Sequence, residues 1–303
     1  MEQDQREWID RFASHLAHER RVSPHTVAAY RRDLLTLTEF CERRGIAVWS
    51  GLDHSLMRTY AAAAHGAGLD PRSIQRRLSA VRTFYDFLMR EGLSARNPAT
   101  DVPAPKTKRR LPATLDADQM GRLLAFRVDD SLSARDKAIM ELFYSSGLRL
   151  AELVGLELSA VDLADRTVRV LGKGSKTRIV PIGRQAIAAL KKWLSERAGL
   201  ARADVQALFV GRSGRPLSVR AVQLRVGAWG RRQGIGVHVH PHMFRHSFAT
   251  HLLESSGDLR GVQELLGHAN VGTTQVYTHL DFQRLAAVYD AAHPRARRLK
   301  RSA

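Results

Sequence analysis

Between residues 97 and 112 the chain reads Asn-Pro-Ala-Thr-Asp-Val-Pro-Ala-Pro-Lys-Thr-Lys-Arg-Arg-Leu-Pro. Each of its four prolines lacks a backbone N–H and fixes φ, so the stretch can be neither a helix nor a central strand. Its placement a third of the way along divides the chain. Residues 1–95 are expected to form one domain, 96–112 a proline-rich basic linker, 113–293 a second domain and 294–303 a basic tail. A length of 303 residues with 44% apolar content is enough for a core in each domain.

The first part carries helix signals. Ser23 is an N-cap candidate with Pro24 at the first helical position, and Val27, Tyr30, Leu34, Leu37 and Phe40 then recur at 3.6-residue spacing up to Gly45. A second such unit runs from Asp70-Pro71 through Ile74, Leu78, Val81, Phe84, Tyr85 and Leu88 to Gly92, with Arg72, Arg76 and Arg77 on its polar side. Shorter helices are expected over Glu7–Ala17 and Leu56–His65, which makes a four-helix all-α domain.

After the linker, helices are expected at Asp116–Phe126, Ala134–Ser145, Ala151–Leu156, Arg184–Glu196, Val219–Arg232, Pro241–Glu254, Leu259–Leu266 and Thr274–Ala292. The β signal is confined to Arg166–Leu171 and Thr177–Pro181, a hairpin with a basic tip at Gly172-Lys-Gly-Ser-Lys176. The fold class is therefore mainly α with a small β-hairpin or sheet. No internal repeat is visible.

Basic residues outnumber acidic ones 48 to 30, a net charge of +18 spread over both halves, and such a field attracts a polyanion. Nucleic acid is the expected partner of both domains. The single cysteine, Cys41, excludes an internal disulfide and reads as a buried, inert thiol. The polar, acidic start and the lack of an apolar run near ~18 residues predict a cytoplasmic protein.

Chemistry concentrates in a few words. His240-Pro-His-Met-Phe-Arg-His-Ser-Phe-Ala-Thr-His251 holds four histidines and one arginine. His242 and His246 have the i, i+4 spacing of zinc proteases, but Met243 stands where the general-base Glu belongs, so no metal is expected. Phe244, Phe248 and Leu252 form a core stripe, while His242 and Arg245 at i, i+3 offer an imidazole beside a guanidinium fork, a face that fits a phosphate. A charged Arg149 interrupts the apolar Gly147-Leu-Arg-Leu-Ala-Glu-Leu153 and needs a partner, with Glu152 the local choice. Lys173 sits on a glycine-flanked turn that is not a phosphate-binding P-loop, because a strand follows it instead of a helix. His268 follows Leu265-Leu-Gly, and Tyr277 comes nine residues later.

Two arginines, two histidines, a lysine and a tyrosine in this order resemble the tyrosine recombinase family, also called the phage integrase family. The likeness runs from Ser23-Pro-His-Thr to Ala292-His-Pro. GLRLAEL supplies Arg149, GKGSK Lys173, HPHMFRH His242 and Arg245, LLGH His268 and TTQVYTH Tyr277. Phe244 replaces a usual Leu and Gly272 a usual Ser, departures that touch packing and one helix cap only. Within the family, LLESSGDLRGVQELLGHAN and THLDFQRLAAVYDAAHPRA are similar to the paired recombinases that resolve bacterial chromosome dimers.

The resemblance implies a two-domain DNA clamp: an N-terminal four-helix SAM-like core-binding domain and an α+β catalytic domain. It implies catalysis by Arg149, Lys173, His242, Arg245, His268 and Tyr277, with Tyr277 the nucleophile that becomes a 3′-phosphotyrosine, and no cofactor. It implies as partners a duplex site with two half-sites, a paralogous recombinase in a heterotetramer on DNA, and a septal DNA translocase. Arg72, Arg76, Arg77 and Arg220 are the candidate DNA-binding residues. A mobile-element integrase of the same family, a non-catalytic DNA-binding protein and a metal-dependent nuclease are the competing readings.

Overall fold

The computed structural model describes residues 3–106, 114–171 and 177–256. The chain divides into two units, 1–109 and 110–303.

The first unit contains α1 (Gln3–His18), α2 (Pro24–Arg43), α3 (His54–Gly66) and α4 (Pro71–Arg90). Their starts are encoded locally. Asp53 accepts the Leu56 N–H at 2.8 Å and Asp70 the Arg72 N–H at 2.9 Å, while Ser23 caps α2 ahead of Pro24. The apolar stripes meet in one core of Leu34, Leu37 and Phe40 from α2 and Leu78, Val81, Phe84 and Leu88 from α4. Trp49 fills its centre and takes the Tyr85 hydroxyl on its carbonyl at 2.8 Å. Cys41 is buried here, and burial pushes its thiol up to about 11.

The start of the proline-rich stretch is anchored on this unit. Arg82 of α4 donates to the carbonyls of Ala99 and Val102, both at 2.8 Å, and Ala99 and Val102 are themselves buried. Arg82 thus satisfies carbonyls that neither a helix nor a sheet could pair.

The second unit contains α5 (Ala117–Leu123), α6 (Ser131–Ser146), α7 (Leu150–Val154), β1 (Val161–Asp162), β2 (Thr167–Leu171), β3 (Thr177–Pro181), α8 (Arg184–Ala198), α9 (Val219–Arg232) and α10 (Pro241–Ser256). The expected hairpin is β2–β3, antiparallel from Thr167↔Pro181 to Leu171↔Thr177. Strand β1, absent from the sequence reading, adds a third antiparallel strand beside β2; at two residues it is too short to show alternation. The expected helices over Leu259–Leu266 and Thr274–Ala292 and the hairpin tip Gly172–Lys176 lie outside the described residues.

Helix α6 is buried almost throughout and packs against α8, α9, α10 and β3. Its buried Asp136 receives Arg135 at 2.7 Å, Arg225 at 2.5 Å and the Trp229 indole at 2.9 Å, which fastens α9 to the centre of the unit. Among the described residues no helix is long and apolar enough to cross a membrane.

Candidate active site

The site grows from the turn that ends α6. Gly147 adopts φ 58° and ψ 28°, a left-handed C-cap that glycine takes at little steric cost. The chain then buries Leu148 and makes Arg149 the N-cap of α7. The Arg149 backbone N–H donates to Glu152 Oε2 at 2.8 Å and its Nη1 to Oε1 at 2.9 Å, the local pair expected from the i, i+3 spacing.

Glu152 is shared. Arg178 on β3 approaches it as a fork, Nη1 to Oε1 at 2.8 Å and Nη2 to Oε2 at 2.9 Å, so each carboxylate oxygen accepts two hydrogen bonds. The Glu152 side chain is only 6% exposed. Burial pushes its carboxyl up, but the Arg178 fork and the Arg149 N–H outweigh that and hold it at about 2.

Helix α10 brings the second arginine. Pro241 starts it, and Phe244, Phe248 and Leu252 lie buried along one side, as their spacing predicts. A flanking row adds Ser247, which exchanges hydrogen bonds with Leu115 at 2.9 Å, and His251, whose Nδ1 meets the Tyr144 hydroxyl at 2.9 Å. With these faces committed to the core, Arg245 reaches the α6–α7 turn and donates Nη1 to the Gly147 carbonyl at 2.6 Å. Burial, then the charges of Arg149 and Arg178, lowers its guanidinium to about 10, with Glu152 opposing.

His242 is exposed on α10, its ring 6.2 Å from that of His240. Burial and then the neighbouring His242, His238 and His246 lower the His240 imidazole; His246 is lowered by burial, His242 and Arg245. Burial and these neighbours thus favour the neutral form of His240 and His246. Among the described residues no three His, Cys, Asp or Glu side chains converge as a metal-binding group.

The structure therefore brings Arg149 and Arg245 together around one turn, with His242 one helical turn from Arg245. Lys173, His268 and Tyr277 lie outside the described residues. Of the DNA-binding candidates, Arg72, Arg76 and Arg220 are exposed and Arg77 is half-buried. Arg76 and Arg77 are both drawn to the buried Asp33, Arg77 at 3.7 Å with only 21% of its side chain exposed. Burial pushes the Asp33 carboxyl up despite these two cations.

Arg178 is the member that sequence reasoning missed. The signal was present: Val168 and Val170 face inward on β2, Val180 does so on β3, and alternation puts Arg178 on that same face. A charge on the buried side of a strand demands a partner.

Three guanidiniums around a single carboxylate leave the site with an excess of two positive charges. Fixed forks of this kind suit an oxyanion that carries charge on several oxygens, such as a phosphodiester at the point of attack.

Comparison with known proteins extends the likeness over the chain. The Phage integrase family signature matches residues 113–284, and that of the phage integrase N-terminal SAM-like domain matches 9–92. A Pseudomonas fluorescens protein named Tyrosine recombinase XerC is 57% identical over 96% of this chain and 97% of its own. One of the same name from Azotobacter vinelandii is 58% identical over the same shares. Among solved structures, the XerH site-specific recombinase bound to palindromic difH substrate superposes with a TM-score of 0.74 at 21% identity, over 95% of each chain. The Tn1549 transposon integrase in complex with circular intermediate DNA gives 0.70 at 20% identity, over 91% of this chain and 97% of that one. At these identities the two structures establish the fold.

Proposed function

The chain belongs to the phage integrase family of tyrosine recombinases, and from that membership we propose that Arg149 and Arg245 clamp a scissile DNA phosphate while Tyr277 attacks it. The observation that carries the assignment is the shared turn: Arg245 reaches the Gly147 carbonyl, two residues before Arg149, from 98 positions along the chain.

The protein is a site-specific recombinase that cuts and rejoins duplex DNA. In the proposed step the Tyr277 oxygen bonds to phosphorus, the P–O5′ bond breaks and a 3′-phosphotyrosine forms. Lys173 supplies the proton to the leaving 5′-oxygen, and His242 accepts the one lost by the tyrosine. Rejoining reverses the sequence, with a second strand's 5′-hydroxyl as nucleophile. Ester bond energy is conserved, so the chemistry calls for no nucleotide cofactor.

An ordinary tyrosine has a pKa near ~10, so its phenolate at neutral pH costs about 4 kcal/mol. The excess cationic charge around Glu152 opposes that cost. The same cations meet the charge that grows on the non-bridging oxygens, where one fixed donor is typically worth roughly 3–4 kcal/mol. His268 would add a further hydrogen bond to the phosphate.

The finer roles go beyond the relatives' name and are part of the same proposal. The chain would act in the cytoplasm with a XerD-type paralogue as a heterotetramer on two half-sites, resolving chromosome and plasmid dimers at cell division under a septal DNA translocase. Each unit would contact the duplex, with Arg72, Arg76, Arg77 and Arg220 toward DNA.

A nicked suicide duplex tests the reading. The wild-type chain should trap a protein–DNA adduct that survives detergent and chelator, and Tyr277→Phe should bind the duplex without trapping it. Adduct formation by Tyr277→Phe overturns the assignment of the nucleophile. Cleavage without an adduct, stopped by chelator, favours a metal-dependent nuclease instead.

A further inference from the structure

We propose that Arg178 is a positioning residue for DNA cleavage: its fork orients Glu152, Glu152 orients Arg149, and strand β3 thereby sets the place of the first arginine of the phosphate clamp. The proposal rests on the reading of Arg149 as a phosphate ligand given above.

The geometry is that of an aligned series. Both Arg178 Nη atoms are committed to Glu152, at 2.8 and 2.9 Å, and only 18% of the Arg178 side chain is exposed. Glu152 is saturated by Arg178 on one side and Arg149 on the other. The Arg149 N–H and Nη1 alone would hold the carboxylate from one side only. The second fork holds it from the other, because bidentate contact fixes the carboxylate plane as well as its distance.

Strand β3 is itself pinned to the turn that carries Arg149. Ser146 Oγ donates to the Pro181 carbonyl at 2.8 Å, and the Gly183 N–H donates to Ser145 Oγ at 3.1 Å. The strand is thus fastened at its end by the last two residues of α6 and near its start by Arg178. Arg178 shares the sheet's inner face with Val168, Val170 and Val180, where an arginine with purely structural duty is costly to keep. Arg178 also contributes to the field that lowers Arg245. Both arginines of the clamp therefore sense one strand residue that touches no substrate in this scheme.

The test separates charge from fork. Arg178→Lys keeps a cation near Glu152, so melting temperature and duplex affinity should stay close to wild type, the latter within about twofold. Adduct formation on the nicked duplex at saturating DNA should nevertheless slow by at least ~10-fold, because orientation acts on the chemical step and not on binding. Combining Arg178→Lys with Arg149→Lys should cost far less than the product of the two single losses. A single-variant rate within about threefold of wild type, or losses that simply multiply, overturns the proposal. Should Arg178→Lys melt early, Arg178→Ala is assayed below its own melting point with added guanidinium ion. A rise in adduct rate of roughly fivefold or more supports the role and no rise refutes it. Adduct formation by the wild type in the same experiment, and none by Tyr277→Phe, keeps failure of this proposal distinct from failure of the recombinase assignment.

Discussion

Arg245 donates Nη1 to the carbonyl of Gly147 at 2.6 Å, joining the middle of α10 to the left-handed residue that ends α6. A backbone oxygen at a turn thus anchors the second arginine of the proposed clamp. It means that the conformation of one glycine sets where the guanidinium can stand.

Gly147→Ala should therefore damage both fold and chemistry. A Cβ at φ 58° costs roughly 1 kcal/mol, and relief of that strain would rotate the carbonyl away from Arg245. Gly147→Asn, which tolerates the left-handed region, should keep most adduct formation. Thermal melts and the nicked-duplex assay on both variants check this ordering.

Arg245→Lys should retain duplex binding and lose cleavage by about 10²- to 10³-fold, since an ammonium cannot hold the Gly147 carbonyl and a phosphate oxygen in a fixed plane. Binding is read by gel shift and cleavage by the rate of adduct formation.

Glu152 should give the catalytic unit an acid-sensitive share of stability. Its carboxyl lies at about 2 in the folded chain against an ordinary 4.5, so the folded state favours the ionised form. The contribution, roughly 3 kcal/mol, is present in full above pH 4.5 and is lost as pH falls from there toward 2. Denaturant titrations of wild type and Glu152→Gln should converge across that window and diverge above it. A gap that stays constant with pH would refute the linkage.

Gly230→Ala should weaken the unit by about 1–3 kcal/mol through overpacking. A Cβ there would meet Val239 Cγ2 at 2.6 Å and Val239 Cβ at 2.8 Å, and a valine branch has little room to turn. Because Val239 leads directly into α10, the displacement should also slow cleavage. Melting temperature and adduct rate are expected to fall together.

Duplex affinity should drop steeply with salt. With a net charge of +18 on the chain, neutralising about six phosphates gives a log–log slope near −5. Arg220→Ala should make that slope shallower by about one if the residue contacts a phosphate, and leave it unchanged if it reads a base. Gel shifts across a salt series on a specific and a random duplex distinguish the two.

Much of the fold could be read directly. Ser23 and Asp70 cap helices as their side-chain chemistry requires, and the Phe244, Phe248, Leu252 stripe is buried where its spacing puts it. The hairpin ends at the residues expected, Leu171 and Thr177. Strand β1 escaped because two residues carry no period, and the anchoring of Ala99 and Val102 by Arg82 escaped because prolines announce only what a segment cannot be.

What the sequence by itself determined is the set of reactive groups, their order, and local contacts such as that of Arg149 with Glu152. Tertiary structure alone decided that Arg178 would share that carboxylate from 26 positions away, and that Arg245 would find a carbonyl 98 positions back. It also set Arg76 and Arg77 on Asp33. The physical reason is range. Caps and i, i+3 pairs are fixed by covalent neighbours, whereas a fork on an inward strand position takes whichever charge the packing of α6, α7 and β3 brings within reach, and a lone buried arginine does not name its partner in advance.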